Sequence, residues 1–83
     1  MRIFELIPLF DNRKSFYGKA RVIDHDNGIV ELQSYDTIVC RIEFSYKEAT
    51  GYKVTLNGLH EYSRTTDRHI KEFLKQYDAW EVK

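Results

Sequence analysis

The stretch TIVCRIEFSY, Thr37 to Tyr46, decides the fold class. Ile38, Cys40, Ile42, Phe44 and Tyr46 alternate with Thr37, Val39, Arg41, Glu43 and Ser45. Period two over this length marks a strand with one buried face. Cys40 falls on the apolar side, where it is expected to act as a small buried hydrophobe. As the chain's one cysteine, it also excludes an internal disulfide framework.

Working upstream, Tyr17–Asp24 and Ile29–Tyr35 read as strands around the turn residues HDNG. A two-residue Asn27-Gly28 turn would pair Val22 with Gln33 and Ala20 with Tyr35, mixing apolar and polar positions. A three-residue loop, Asp26-Asn27-Gly28, instead pairs Val22 with Leu32 and Arg21 with Gln33. Register follows the pattern that keeps the faces separate, so the longer loop is expected, with Gly28 left-handed in a bulge. Downstream, KEATG should join Tyr46 to a strand carrying Tyr52, Val54 and Leu56 inward, with Gly51 at positive φ. Asn57-Gly58 closes that strand, and LHEY offers a short return. Lys19, Arg21, Glu31, Gln33, Arg41, Glu43 and Lys53 then share a solvated face of mixed sign. RIFELI, before Pro8, reads as an edge strand within residues 1–10.

The C-terminal stretch YSRTTDRHIKEFLKQY, Tyr62 to Tyr77, is a helix over about 65–77. Ile70, Phe73, Leu74 and Tyr77 form one apolar stripe. Ser63, Thr65 and Thr66 are candidate N-caps, and Asp67 suits the first turn. The expected fold is α+β: an antiparallel meander of about four strands, within residues 17–56, with this helix on its apolar face. Residues 1–83 are read as one small domain.

Charged side chains balance, thirteen basic against thirteen acidic. Polyanion binding usually shows as a basic domain, so this neutrality argues against a dedicated duplex binder. The run Ile3–Phe10 is too short to span a membrane and lacks a signal-peptide cleavage pattern, which leads to a cytoplasmic expectation. Aromatic residues make up 14% of the chain, which gives a short chain core area and binding anchors.

Three constellations could carry chemistry. Ser63, His69 and Asp67 or Glu72 supply the residue types of a hydrolase, but Asp67 and His69 point apart on one helix and no nucleophile elbow precedes Ser63. Asp24, His25 and Asp26 with His60 or His69 suggest a metal. Tyr35 stands where a calcium loop needs its last carboxylate, and Asp-Asn-Gly is turn chemistry. No catalytic residue, cofactor or metal is therefore assigned. The third is a stripe of Thr65, His69, Glu72 and Gln76 beside the apolar face, with Arg68 at its margin. It reads as a solvated flank or as a contact surface for a protein partner, to which Trp80 and exposed tyrosines add anchors. As a contact surface, it would let His69 and Glu72 be replaced by alanine with little change in melting temperature.

Residues 62–73, Tyr-Ser-Arg-Thr-Thr-Asp-Arg-His-Ile-Lys-Glu-Phe, resemble the Tyr-Ser-x-Thr-Thr-x-Arg-His-Ile-x-Glu-Phe signature of a family of short uncharacterised proteins. These occur in phages, plasmids and genomes of Gram-positive bacteria. Ser34-Tyr35-Asp36-Thr37-Ile38-Val39 is similar to that family's upstream strand, and the resemblance covers residues 34 to 77. It implies a mobile-element protein that works by stoichiometric binding, as an inhibitor of a host or defence protein, for example of CRISPR type. A single-strand nucleic-acid binder is the alternative, with Arg13, Lys14, Lys19, Arg21 and Arg41 as its basic contacts. A homodimer through a sheet edge or Trp80 is a third possibility.

Overall fold

A computed structural model describes residues 1–45, 51–57 and 63–80. Five strands run in chain order across one sheet: β1 (Arg2–Glu5), β2 (Ala20–Asp24), β3 (Ile29–Ser34), β4 (Thr37–Phe44) and β5 (Tyr52–Leu56). Every neighbouring pair is antiparallel. Among the described residues a single helix, α1 (Arg64–Gln76), follows and lies across β3. The class is α+β as expected, with one more strand than the four of the meander, because RIFE pairs with β2 as the edge. Tyr46, most of the KEATG loop, Gly58 and the LHEY segment lie outside the described residues. Among the described residues no helix is long and apolar enough to cross a membrane.

The β2–β3 hairpin adopts the longer loop. Val22 pairs with Leu32 and Arg21 with Gln33, and the His25 N–H donates to the Ile29 carbonyl, which leaves Asp26-Asn27-Gly28 as the connection. Gly28 has φ +84°, and Asp26 is also left-handed. At its other end β2 starts three residues later than the alternation suggested. Tyr17 and Gly18 both take positive φ in a tight turn closed by the Lys19 N–H on the Phe16 carbonyl.

The strand that decided the fold departs from strict alternation at one place. Leu32 pairs with Cys40 and Gln33 with Ile38, so Val39 is an extra residue in β4. This bulge turns Val39 inward, to 4% exposure, and sends Ile38 to the outer face beside Gln33. Asn57 holds the bulge. Its backbone N–H donates to the Val39 carbonyl, and its side-chain amide donates to the Ile38 carbonyl at 2.6 Å. Period two resumes at Cys40, which is fully buried, and burial pushes its thiol up to about 12.

The core lies between sheet and helix. Ala20, Val22, Val30, Leu32, Cys40 and Ile42 face Ile70, Phe73 and Leu74, and Leu6 and Phe16 close one side. Tyr52 and Val54 pack at its margin as the alternation requires, while Leu56 is half exposed. On the far face Arg21–Gln33, Glu31–Arg41 and Glu43–Lys53 are cross-strand neighbours. Register places Ile3, Ile23, Ile29 and Ile38 among them, so that face is less polar than the charged residues alone suggested.

Ser63 caps α1, accepting the Thr66 N–H at 3.1 Å. At the other end Asp78, at φ +59°, takes the left-handed position. Its N–H reaches the Lys75 carbonyl, and the Ala79 N–H reaches that of Leu74. This is a Schellman ending, with buried Ala79 covering the last turn.

The bulge reverses the expected order of two substitutions. Val39→Asp should cost about 3 kcal/mol or more, since it buries an unpaired carboxylate, whereas Ile38→Asp should cost about 1 kcal/mol. Chemical denaturation of the two variants checks this. An uninterrupted strand would give the opposite order.

Candidate functional site

The helix motif is a seam that fastens α1 to two other segments. On its sheet side, Ser63 donates its hydroxyl to the Thr66 Oγ1, which lies 3.0 Å from the Ser34 Oγ. The Ser34 Oγ lies 2.8 Å from the His69 Nδ1. Thr66 Oγ1 can accept from both serines or pass its own proton to Ser34, so the Ser34–His69 bond is compatible with either ring tautomer. The other ring nitrogen, Nε2, is buried and has no hydrogen-bond partner among the described residues. Phe16 stands edge-on to the ring at 4.6 Å between centroids, and Tyr35 lies at 6.0 Å. Burial, with help from Arg13 and Lys19 and against Asp11, lowers the His69 pKa below its ordinary 6.5, so the ring is neutral at pH 7.

Along the adjoining flank, at Glu72 and Gln76, α1 carries a strap formed by the segment between β1 and β2. The strap runs antiparallel to the helix. The Ile7 carbonyl accepts from the Gln76 Nε2 at 2.7 Å. Glu72 Oε2 accepts the Leu9 N–H, and Oε1 accepts those of Phe10 and Asp11, at 3.0, 2.9 and 2.8 Å. Gln76 adds a fourth bond to Oε2. Beyond it, Asp11 meets Arg68 at 3.5 Å. Glu72 is 2% exposed, and burial alone would raise its pKa. The donors from Gln76, Leu9, Phe10 and Asp11 outweigh burial and hold the carboxyl below its ordinary 4.5.

The stripe expected to face solvent or a partner thus divides. His69, at 0% exposure, and Glu72 lie inside, Thr65 and Gln76 are half-buried, and only Arg68 is exposed. Both side chains are buried and fasten α1 to its neighbours, so alanine at His69 and Glu72 is now expected to lower stability. Trp80 is partly exposed, with the Lys71 ammonium over its ring at 5.8 Å. Of the exposed tyrosines, Tyr17 stands out from its turn and Tyr35 lies at the β3–β4 turn beneath Lys19.

The five basic residues of the nucleic-acid alternative do not meet on one face. Arg13 and Lys14 are on the strap, Lys19 precedes β2, and Arg21 and Arg41 lie on the outer face of the sheet. Arg41 is engaged with Glu43 at 3.5 Å. The acids and histidine of the DHDNG turn are also engaged. Asp24 binds Arg2 and the Asp26 N–H, and His25 binds Glu31. His60 lies outside the described residues.

Sequence reasoning missed Ser34, which reaches His69 where Ser63 does not. A hydroxyl bonded to an imidazole is the start of a nucleophile–base pair. Here Ser34 is 3% exposed, and both Glu72 oxygens are taken up by the strap, so neither substrate access nor a carboxylate for Nε2 is present among the described residues. The pair can seat the helix on β3. Ser34 had one legible signal, its place on the inward parity of IVELQS beside Val30 and Leu32. The strap's signal was the apolar run around Pro8, too long for one short edge strand.

Outside the strap, Leu9 is 73% and Phe10 59% exposed, with Ile7 beside them. Phe10 and Asp11 form a cleft with Arg68, Lys71 and Lys75 along α1, and Glu72 is its floor. This surface sets an apolar row against basic side chains.

Both buried groups make stability fall in acid. His69 binds a proton less readily in the folded chain than unfolded. Its contribution is complete above pH 6.5 and is lost as pH drops through the lower folded value. Glu72 behaves alike, complete above pH 4.5 and lost below it. Stability followed by denaturation from pH 7.5 downward should show a first decline starting near 6.5, absent in His69→Phe. Glu72→Ala should cost about 3 kcal/mol at pH 7, through the lost charged acceptor of three loop amides. A change under about 0.5 kcal/mol would place Glu72 among ordinary surface residues.

No curated protein and no solved structure matches the chain. A protein family does, over residues 4–83, reaching well into the first third of the sequence, beyond the residues 34 to 77 on which a resemblance was legible. That first third includes the strap which Glu72 holds. The chain belongs to DUF8033, a family of unknown function.

Proposed function

We propose that this chain is a non-catalytic binding module that engages a protein partner stoichiometrically through the strap and the adjoining face of α1. One observation carries this reading. Leu9 and Phe10 are largely exposed on a segment whose backbone is fixed by a buried carboxylate. Single exposed apolar residues are ordinary, but Ile7, Leu9 and Phe10 are contiguous, and contiguous apolar surface marks interaction sites. Anchors on a pre-ordered backbone lose little entropy on binding. Of the residues named from sequence, Arg68 lines this surface, Trp80 adjoins it through Lys71, and Glu72 and Gln76 hold the strap from beneath. The setting implied by the resemblance, a mobile-element inhibitor of a host or defence protein such as a CRISPR effector, belongs to this proposal.

A second reading, single-strand nucleic-acid binding, is favoured by the Phe10 and Trp80 rings beside Arg68 and Lys71. Capture from host lysate with and without nuclease, by the native chain and by Leu9→Ser/Phe10→Ser, separates the two. The first reading expects one protein near stoichiometry in both conditions, reduced about tenfold by the double substitution, as for interface anchors. Stability should change by less than about 0.5 kcal/mol, since both side chains face solvent. Equal capture by the variant would refute it, and enrichment that vanishes with nuclease would transfer the function to the second.

A further inference from the structure

We infer that the strap surface takes an acidic segment of the partner protein, with carboxylates against Arg68, Lys71 and Lys75 and an apolar side chain against Leu9 and Phe10. This rests on the binding-module reading above and specifies the chemistry of the partner.

The outward stripe of α1 is displaced by one residue from the stripe first read in the sequence. Arg64, Arg68, Lys71 and Lys75 fall at i, i+4, i+7 and i+11, a cationic ridge about 16 Å long at 1.5 Å per residue. Arg64 stands in the first turn, where the helix dipole disfavours a cation, so its charge does not serve the helix. Among the described residues Lys71 and Lys75 have no carboxylate within ion-pair distance, and Arg68 reaches only Asp11, at 3.5 Å. Glu72 lies within the same cleft, but both its oxygens are saturated by N–H donors and turned to the strap. Asp67 beside the ridge and Asp11 and Glu72 in the cleft offset part of its charge, and carboxylates supplied by a partner would complement Lys71 and Lys75, which those acids leave unpaired among the described residues.

Three observations favour a protein segment over a phosphodiester strand. Net neutrality gives no long-range pull on a polyanion. The row beside the ridge is aliphatic at Ile7 and Leu9, which suits a side-chain anchor more than base stacking. Lys71 already covers the Trp80 ring, occupying a platform that a base would need.

The test titrates the isotope-labelled full chain with two probes at equal ionic strength. One is a short synthetic peptide of glutamates and leucines, and the other an oligodeoxythymidylate of equal charge. The peptide should saturably shift the amides of Leu9, Phe10, Lys71 and Lys75 and alter Trp80 fluorescence. Lys71→Glu/Lys75→Glu should weaken it about tenfold or more, and the glutamine pair at the same positions should weaken it less, in the same direction. Tighter binding of the oligonucleotide to these residues, or a peptide that shifts none of them, would overturn the inference. A captured partner that is lost with Leu9→Ser/Phe10→Ser but retained by the charge-reversed pair would overturn the acidic segment and leave the binding module standing.

Discussion

The Glu72 carboxylate is the interaction on which the rest of this structure depends. Three consecutive strap amides and one side-chain amide converge on its two oxygens in a site sealed from solvent. A buried carboxylate is costly unless its lone pairs are filled, and a loop backbone is costly to cover unless its N–H groups are filled. Each requirement answers the other here. The strap covers Glu72, and Glu72 gives an otherwise irregular segment a fixed path along α1. One turn back along the same flank of the helix, Ser34, Thr66 and His69 do the equivalent for β3. The helix is thus held by apolar packing beneath it and by two adjoining sets of polar contacts along one flank.

This arrangement separates support from contact. Residues of the helix motif that carry reactive groups are turned inward, and the exposed surface they hold in place is made of Ile7, Leu9 and Phe10 beside a ridge of Arg and Lys. Burial keeps the His69 ring neutral, and the donors of the strap and Gln76 keep Glu72 ionised. That makes the seam sensitive to acid and leaves the outer surface free to vary in charge.

Much of the scaffold was legible in the sequence because its signals are local. The Asp26-Asn27-Gly28 loop followed from keeping Val22 opposite Leu32, and the helix followed from Ile70, Phe73, Leu74 and Tyr77. The features that escaped depend on contacts distant in sequence. The bulge at Val39 exchanges the faces of two β-branched apolar residues, so composition gives no sign of it, and its partner Asn57 reads as an ordinary turn residue. His69 and Glu72 look like a solvated flank if one sheet is all that covers the helix. Glu72 is interior because the strap covers it from more than fifty positions away, and His69 because Phe16, Ser34 and Tyr35 close around its ring. The apolar run Ile7, Leu9, Phe10 was the one clue, and only Leu6 next to it is buried.

Amide hydrogen exchange across the strap tests the role of Glu72 most directly. The Leu9, Phe10 and Asp11 amides should exchange far more slowly than that of the neighbouring Asn12. Glu72→Gln should release all three while β3 remains protected. Exchange of those three amides at open-loop rates in the native chain would contradict the account, since the strap would then not be held by the carboxylate at all.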